Sequence, residues 1–231
     1  MKQTLLVFLF IISAYQCYSQ SKIEEKNRKY FIGGSYGMGT ARWYSNFNSS
    51  LYDTSGTIIQ SGDIKLKAQN PCRLMNFEVI GPISNSLRMG LGVAFEDYYL
   101  NKILIQSKGS DKYMLFEETF TVNKVFIQAE FPINMRQNNL WSLGANTHLG
   151  YFSYNGLKRY NFFGTKLGNR FLVSLALMAD YKVFDKTYIF IMPNVEYKFF
   201  KTSPKELPTE INHNIINYSI SAGIRMNLYI R

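Results

Sequence analysis

From residue 86 to 100 apolar and polar side chains alternate along the chain. Leu87, Met89, Leu91, Val93, Phe95 and Tyr99 share one parity, and Arg88, Gly90, Gly92, Ala94, Glu96 and Tyr98 share the other. A period of two over this length predicts an extended strand with unlike faces. The same split recurs near 169–183, where Phe171, Val173, Leu175, Leu177, Ala179 and Tyr181 oppose Arg170, Ser174, Ala176, Asp180 and Lys182. It recurs at the C-terminus, where Tyr218, Ile220, Ala222, Ile224, Met226, Leu228 and Ile230 oppose Asn217, Ser219, Ser221, Gly223, Arg225 and Asn227. Read this way, the chain carries eight strands at about 29–44, 71–81, 86–100, 119–133, 140–155, 169–183, 187–201 and 214–230.

The gaps between these strands sort by length. Those after strands 2, 4 and 6 are short, and those after 1, 3, 5 and 7 are long, the first running from Ser45 to Asn70. Tight turns on one side and long loops on the other predict an all-β fold, an eight-stranded antiparallel up-and-down transmembrane β-barrel, with both termini on the side of the turns. Pro193 falls inside the seventh strand, where its missing N–H predicts a bulge there or a strand drawn in the wrong place.

Periodicity does not say which face meets solvent, because a lipocalin-like soluble barrel alternates as well. Composition bears on the choice. The polar parity mixes Gly90, Gly92, Ala94, Ser174, Ser219, Ser221 and Gly223 with Glu78, Arg88, Glu96, Lys124, Glu130, Arg170, Asp180, Lys182, Glu196, Lys198 and Arg225. Small residues leave room for long charged ones in a narrow interior, where opposite signs offset each other's desolvation. These charges form either a structural salt-bridge plug or an ion path, and the narrowness of an eight-stranded barrel favours the plug. On the apolar parity, Phe131, Trp141 and Tyr181 fall at one set of strand ends, and Tyr99, Tyr151, Phe171, Tyr197, Phe199 and Tyr218 at the other. Two aromatic girdles are expected where a barrel crosses two membrane interfaces. The aromatic content of 16% agrees.

Residues 1–19 have the pattern of a secretory signal peptide: Lys2 as the charged start, an apolar run from Leu5 to Ile12, and small side chains at Cys17 and Ser19 before Gln20. The run is too short to span a bilayer, and no later stretch is apolar for 18 residues. The expected organisation is therefore a cleaved leader, 1–19, and one barrel domain, 20–231, located in the cell outer membrane. Cleavage would leave Cys72 as the only cysteine, so no disulfide within the chain is expected. The formal charge of +10 falls to +9 without Lys2 and suits anionic lipid or lipopolysaccharide headgroups; an exported chain without a basic run is not a nucleic-acid binder. A monomer is expected, with other envelope or secretion proteins as further partners.

The segment Val125-Phe126-Ile127-Gln128-Ala129-Glu130-Phe131-Pro132-Ile133, followed by a turn and the glycine-bearing strand Leu140–Tyr154, resembles the small outer-membrane β-barrels common in Bacteroidetes, which include PorT-like proteins. In architecture the chain is similar to OmpX and the OmpA barrel. The resemblance implies an outer-membrane barrel over the whole mature chain, with a role in protein secretion as one version of its function.

Motifs for chemistry are sparse. There is no HExxH, GxSxG, Walker loop or paired-cysteine spacing, and no catalytic, cofactor or metal site is expected. Gly34-Ser35-Tyr36-Gly37-Met38-Gly39 has the look of a nucleotide loop but lacks the strand-turn-helix setting, so it is expected to line the barrel. Of the two histidines, His148 takes the interior parity and His213 falls in the last outer loop, where it is expected to be solvated. A non-enzymatic barrel binding a partner through its outer loops or periplasmic side is the leading expectation. A narrow channel for small or hydrophobic solutes comes next, and a lipid-A-modifying enzyme third.

Overall fold

The computed structural model describes residues 30–52, 58–84, 86–107, 110–133, 140–155, 166–203 and 211–228. The leader pattern and Thr54 of the first long loop lie outside these. Eight antiparallel strands follow one another around a closed barrel: β1 (Tyr30–Tyr52), β2 (Ile58–Ser84), β3 (Leu87–Ser107), β4 (Ser110–Ile133), β5 (Trp141–Asn155), β6 (Lys166–Phe184), β7 (Thr187–Ser203) and β8 (Ile211–Leu228). The ring closes where Tyr30 of β1 pairs with Leu228 of β8. Every strand is thereby paired on both sides and no edge is left to template aggregation. The end holding Tyr30, Leu228 and the turn at 185–186 is the turn end. The opposite end is the hairpin end.

The alternation read from sequence is what closes the barrel. On β8, Tyr218, Ile220, Ala222, Ile224, Met226 and Leu228 point outward, while Asn217, Ser221, Arg225 and Asn227 are buried inside. All eight strands put large apolar residues on the exterior, among them Ile32, Phe77, Leu91, Ile127, Leu149, Leu175, Ile191 and Ile224, with Leu91 63% and Leu175 64% exposed. The core of the molecule is its lumen.

Four expectations are corrected. Within the stretch 45–70, residues 45–52 and 58–70 are strand rather than loop: β1 and β2 stay in register from Ser45↔Leu66 out to Leu51↔Gln60. Inward Ile64 and Leu66 alternate with outward Lys65 and Lys67, a strand whose outer face is basic rather than apolar. Residues 101–107 and 110–118 likewise continue β3 and β4, as far as the pair Ser107↔Ser110. A register shift between Leu100 and Lys102 exchanges the faces of β3, so that Ile103 and Ile105 point inward. Leu87, expected on the outer face, is buried beside the shift between Pro82 and Ser84. Pro193 makes no bulge, since β7 keeps register with β8 through Pro193↔Ile220. Its pairing with β6 lapses locally between Ala176↔Asn194 and Ala179↔Ile191 and resumes in the same register.

Gly39 sits mid-strand in β1, far from any helix. A Cβ there would lie 2.2 Å from the carbonyl oxygen of Tyr218, so glycine lets β1 and β8 approach at the closing seam. Close strand packing, not phosphate binding, accounts for Gly37 and Gly39.

Candidate functional site in the barrel lumen

Inward-facing side chains stack in four layers. Nearest the turn end, Arg225 donates from Nη1 to Glu130 Oε2 at 2.8 Å and from Nη2 to Asp180. Arg88, partly exposed, donates to the other oxygen of Glu130. Ser142 Oγ donates to Asp180 at 3.1 Å, and both guanidinium groups stand over the ring of Phe31, at 4.7 Å for Arg225 and 4.8 Å for Arg88. Glu78, buried, joins this layer opposite Gly33 in register.

Above it lies a neutral polar layer with Ser35, Asn76, Asn146, His148, Ser174 and Asn194. Asn76 donates to Ser35 Oγ at 3.2 Å, and His148 stacks on Phe126 with ring centroids 4.3 Å apart. Neither the amide nitrogen nor the oxygen of Asn146 has a protein partner, nor has Ser174 Oγ.

The third layer is a closed ion-pair ring. Lys124 Nζ reaches Glu96 Oε1 at 2.6 Å and Glu196 Oε2 at 2.8 Å. Lys198 Nζ reaches Glu96 Oε2 at 2.7 Å and also Glu196 Oε1. Each carboxylate therefore bridges both ammonium groups, and the charges cancel. Tyr98, beside the ring, accepts from Lys198 at 2.8 Å and donates to Glu96 at 2.5 Å. All five side chains are buried. Such a ring satisfies the desolvation demand of buried charge only because every member is paired.

The fourth layer, at the hairpin end, is apolar. Trp43, Phe120, Phe152 and Phe200 pack with Ile64, Leu66, Leu100, Ile103, Ile105, Ile211 and Ile215 into one buried cluster. Trp43 and Phe120 rings are 5.2 Å apart, and Tyr98 stacks on Phe120 at 4.7 Å, joining this layer to the ring below. His213 is buried here on β8, not solvated in a loop: Ser45 Oγ lies 2.6 Å from its Nδ1, Thr202 Oγ1 2.8 Å from its Nε2, and Phe200 stacks on it at 4.5 Å.

Of the expected interior charges, Glu96, Lys124, Glu196 and Lys198 meet in one ring, and Arg88, Glu130, Asp180 and Arg225 in another group with Glu78 beside it. Lys182 reaches out to Asp185 in the β6–β7 turn at 3.1 Å, and Arg170 is half-buried near the hairpin end of β6. The aromatic residues expected as girdles all lie on the outer face. Tyr99, Phe131, Trp141, Tyr151 and Tyr218 are exposed, while Phe171, Tyr181, Tyr197 and Phe199 are half-covered by neighbours. Phe171 and Phe199 pair at 5.9 Å, Trp141 and Tyr181 at 4.7 Å, and Tyr197 donates to Asn214 at 2.5 Å. The apolar fourth layer and the role of Tyr98 were missed. Their signal was the alternation Ile64-Lys65-Leu66-Lys67, in which the apolar parity faces in.

Among the described residues no group of three or more His, Cys, Asp and Glu is placed to hold a metal ion. Cys72 points into the lumen and its thiol donates to Asn217 Oδ1 at 3.1 Å.

No family model matches the chain, and no curated protein matches it. Among solved structures it is similar to the outer membrane protein OprG from Pseudomonas aeruginosa, with TM-score 0.55 at 9% identity over 87% of this chain and 96% of that one. A weaker likeness joins it to Neisserial surface protein A, with TM-score 0.47 at 11% identity over 87% of this chain and 98% of that one. The first likeness shows the fold, an eight-stranded outer-membrane-type barrel.

Proposed function

We propose that the protein is an integral barrel of the cell outer membrane whose lumen is a structural plug, and that it works by presenting its hairpin end to a partner. A belt of large apolar side chains exposed on all eight strands would be an aggregation hazard in water, where monomers rarely show continuous patches beyond a few hundred Å². In hydrocarbon the same belt is the stable arrangement. The sequence pattern of residues 1–19 and the OprG-like fold support this location, with the hairpin end outside the cell.

The observation that carries the partner-binding reading is the filling of the lumen. Two groups of mutually paired charges and an apolar layer occupy it in succession, while β1 to β4 run on past the belt and offer outward surface. A secretion accessory of the PorT-like kind is the version that the sequence resemblance favours. A narrow channel would have to pass both the ion-pair ring and the aromatic layer. A lipid-A-modifying enzyme would need a reachable Ser–His pair, and Ser45 with His213 is 1% and 0% exposed.

The test is conductance together with capture. In planar bilayers the folded chain is expected to give no discrete current steps. A photo-crosslinker at exposed Tyr113 is expected to trap a defined envelope protein in intact cells. Steady single-channel steps with no crosslinked product would replace this reading by the channel.

A further inference from the structure

Inside the barrel the buried cations of the two ion-pair groups are matched by carboxylates; outside, a group of exposed cations on β1 to β3 is not. Arg42 of β1, Lys67 of β2 and Lys102 of β3 are exposed and line a lateral hollow of about 410 Å³ with Tyr44, Gln69 and Tyr113. Register makes the patch continuous: Tyr44 lies opposite Lys67, Lys67 opposite Leu104, Leu104 opposite Tyr113, and Arg42 opposite Gln69. Lys102 Nζ stands 3.9 Å from the centroid of the Tyr113 ring, which fixes the ammonium over an aromatic face while leaving its donors free. None of the three cations forms a salt bridge with a described carboxylate. Asp97, opposite Arg73 in register, accepts from Thr121 at 2.8 Å, and Asp111 accepts from Gln106 at 3.0 Å.

Height along the barrel supplies the second observation. Going toward the hairpin end, the last large apolar residues described on the outside of β1, β2 and β3 below the hollow are Met38, Met75 and Tyr99, with Tyr44 and Leu104 in the hollow itself. Arg42 and Lys102 follow shortly, and on β2 Arg73, Pro71 and Gln69 lead to Lys67. Unpaired positive charge beyond an apolar belt lies on the headgroup side of a bilayer, where each Lys or Arg attracts anionic lipid.

Resting on the outer-membrane reading above, we propose that Arg42, Lys67 and Lys102 form a binding site for the phosphate groups of an outer-leaflet lipid. The lipid's acyl chains would lie along the apolar exterior of β1 to β3. A guanidinium and two ammonium groups around one hollow suit a headgroup with phosphate monoesters.

Native mass spectrometry of the full folded chain, released from a neutral sugar detergent, tests this with diphosphoryl lipid A, the same lipid with its phosphates removed, and inorganic phosphate. The diphosphoryl form is expected to be retained at least tenfold better than the dephosphorylated one, with no displacement by equimolar inorganic phosphate. Lys67→Gln with Lys102→Gln is expected to weaken retention roughly 25-fold, about fivefold per cation. A charge-matched pair elsewhere, Lys186→Gln with Lys201→Gln, is expected to change it less than twofold. Equal retention of the two lipids, or equal loss in the two pairs, overturns the site. Displacement by inorganic phosphate at equimolar concentration makes it a soluble-anion site and overturns the lipid assignment. Insertion into phosphatidylcholine vesicles, scored by faster migration of unboiled protein, is measured alongside. A chain that inserts but shows no phosphate preference loses the site and keeps the membrane reading; one that does not insert loses both.

Discussion

The indole N–H of Trp43 donates to Nδ1 of His213 at 3.2 Å, across the closing seam between β1 and β8. An indole nitrogen can only donate, so Nδ1 carries no proton and the ring is neutral with its hydrogen on Nε2. Thr202 then accepts from Nε2, and Ser45 donates its hydroxyl into Nδ1. This polar latch sits within the apolar layer and fixes the orientation of its largest side chain.

Trp43→Phe keeps much of the ring and removes the donor. It is expected to destabilise the barrel by about 0.5–1.5 kcal/mol, the net contribution of one hydrogen bond, because Ser45 still donates into Nδ1. Trp43→Ala is expected to cost about 3–5 kcal/mol through the cavity it leaves. Urea titrations in phosphatidylcholine vesicles measure both, and equal stabilities would show that the latch carries no weight.

The ion-pair ring predicts non-additivity. Lys198→Met alone leaves two buried carboxylates sharing one ammonium and is expected to cost about 3–5 kcal/mol. Lys198→Met with Glu196→Gln restores neutrality and is expected to cost less than the sum of the two single changes. A double-mutant cycle in the same titrations decides it, and simple addition would mean that the charges do not act as a unit.

The two faces of the wall differ in what they tolerate. Leu91→Arg, on the outer face of β3, is expected to cost about 2–4 kcal/mol at the bilayer midplane. Parity alone suggests that Gly223→Ser, on the inner face of β8, would be mild. The packing says otherwise: a Cβ there would lie 2.3 Å from the carbonyl oxygen of Gly34 and 2.6 Å from Phe190 Cζ. The expected cost is about 1–3 kcal/mol by overpacking. Ser174→Ala, which removes a hydroxyl without a protein partner, is expected to stay within about 0.5 kcal/mol.

Labelling fixes the orientation. In a Cys72→Ser background, a cysteine at exposed Asp63 near the hairpin end is expected to react with a membrane-impermeant maleimide on intact cells, and one at Asp185 in the β6–β7 turn to react only after lysis. The reverse pattern would invert the barrel.

Strand number, order and inside–outside parity were legible because lipid-facing apolar side chains alternate with small or charged ones. Nine of the eleven expected interior charges join the two lumen groups and could be named on the same ground; Lys182 turns out to Asp185 and Arg170 stays half-buried, because both stand near strand ends where the inner parity also meets solvent. Two things were hidden. Above the belt both faces change character, so Lys65 and Lys67 outside and Ile64 and Leu66 inside read as an irregular loop. Register shifts such as that at Leu100 and Lys102 exchange the faces, and nothing in residue type marks where an extra residue is accommodated. Which charges pair with which depends on relative strand heights, and hence on register around the whole ring. His213 was misplaced for the same reason: the inward parity of β8 extends beyond the point where outward apolar residues stop.

The seam between β1 and β8 has a kinetic consequence. Tyr30 and Leu228 are pairing partners from opposite ends of the described chain, so their contact closes the largest loop in the molecule and carries the greatest entropic cost of any strand pairing. Gly37 and Gly39 face Ser221 and Ser219 across it, so little side-chain bulk has to be threaded past when the ring shuts. The seven sequential hairpin pairings need only local search and can form first. Zipping then ends where the chain's two ends meet, and added volume at those small residues would slow assembly more than it would loosen the finished barrel.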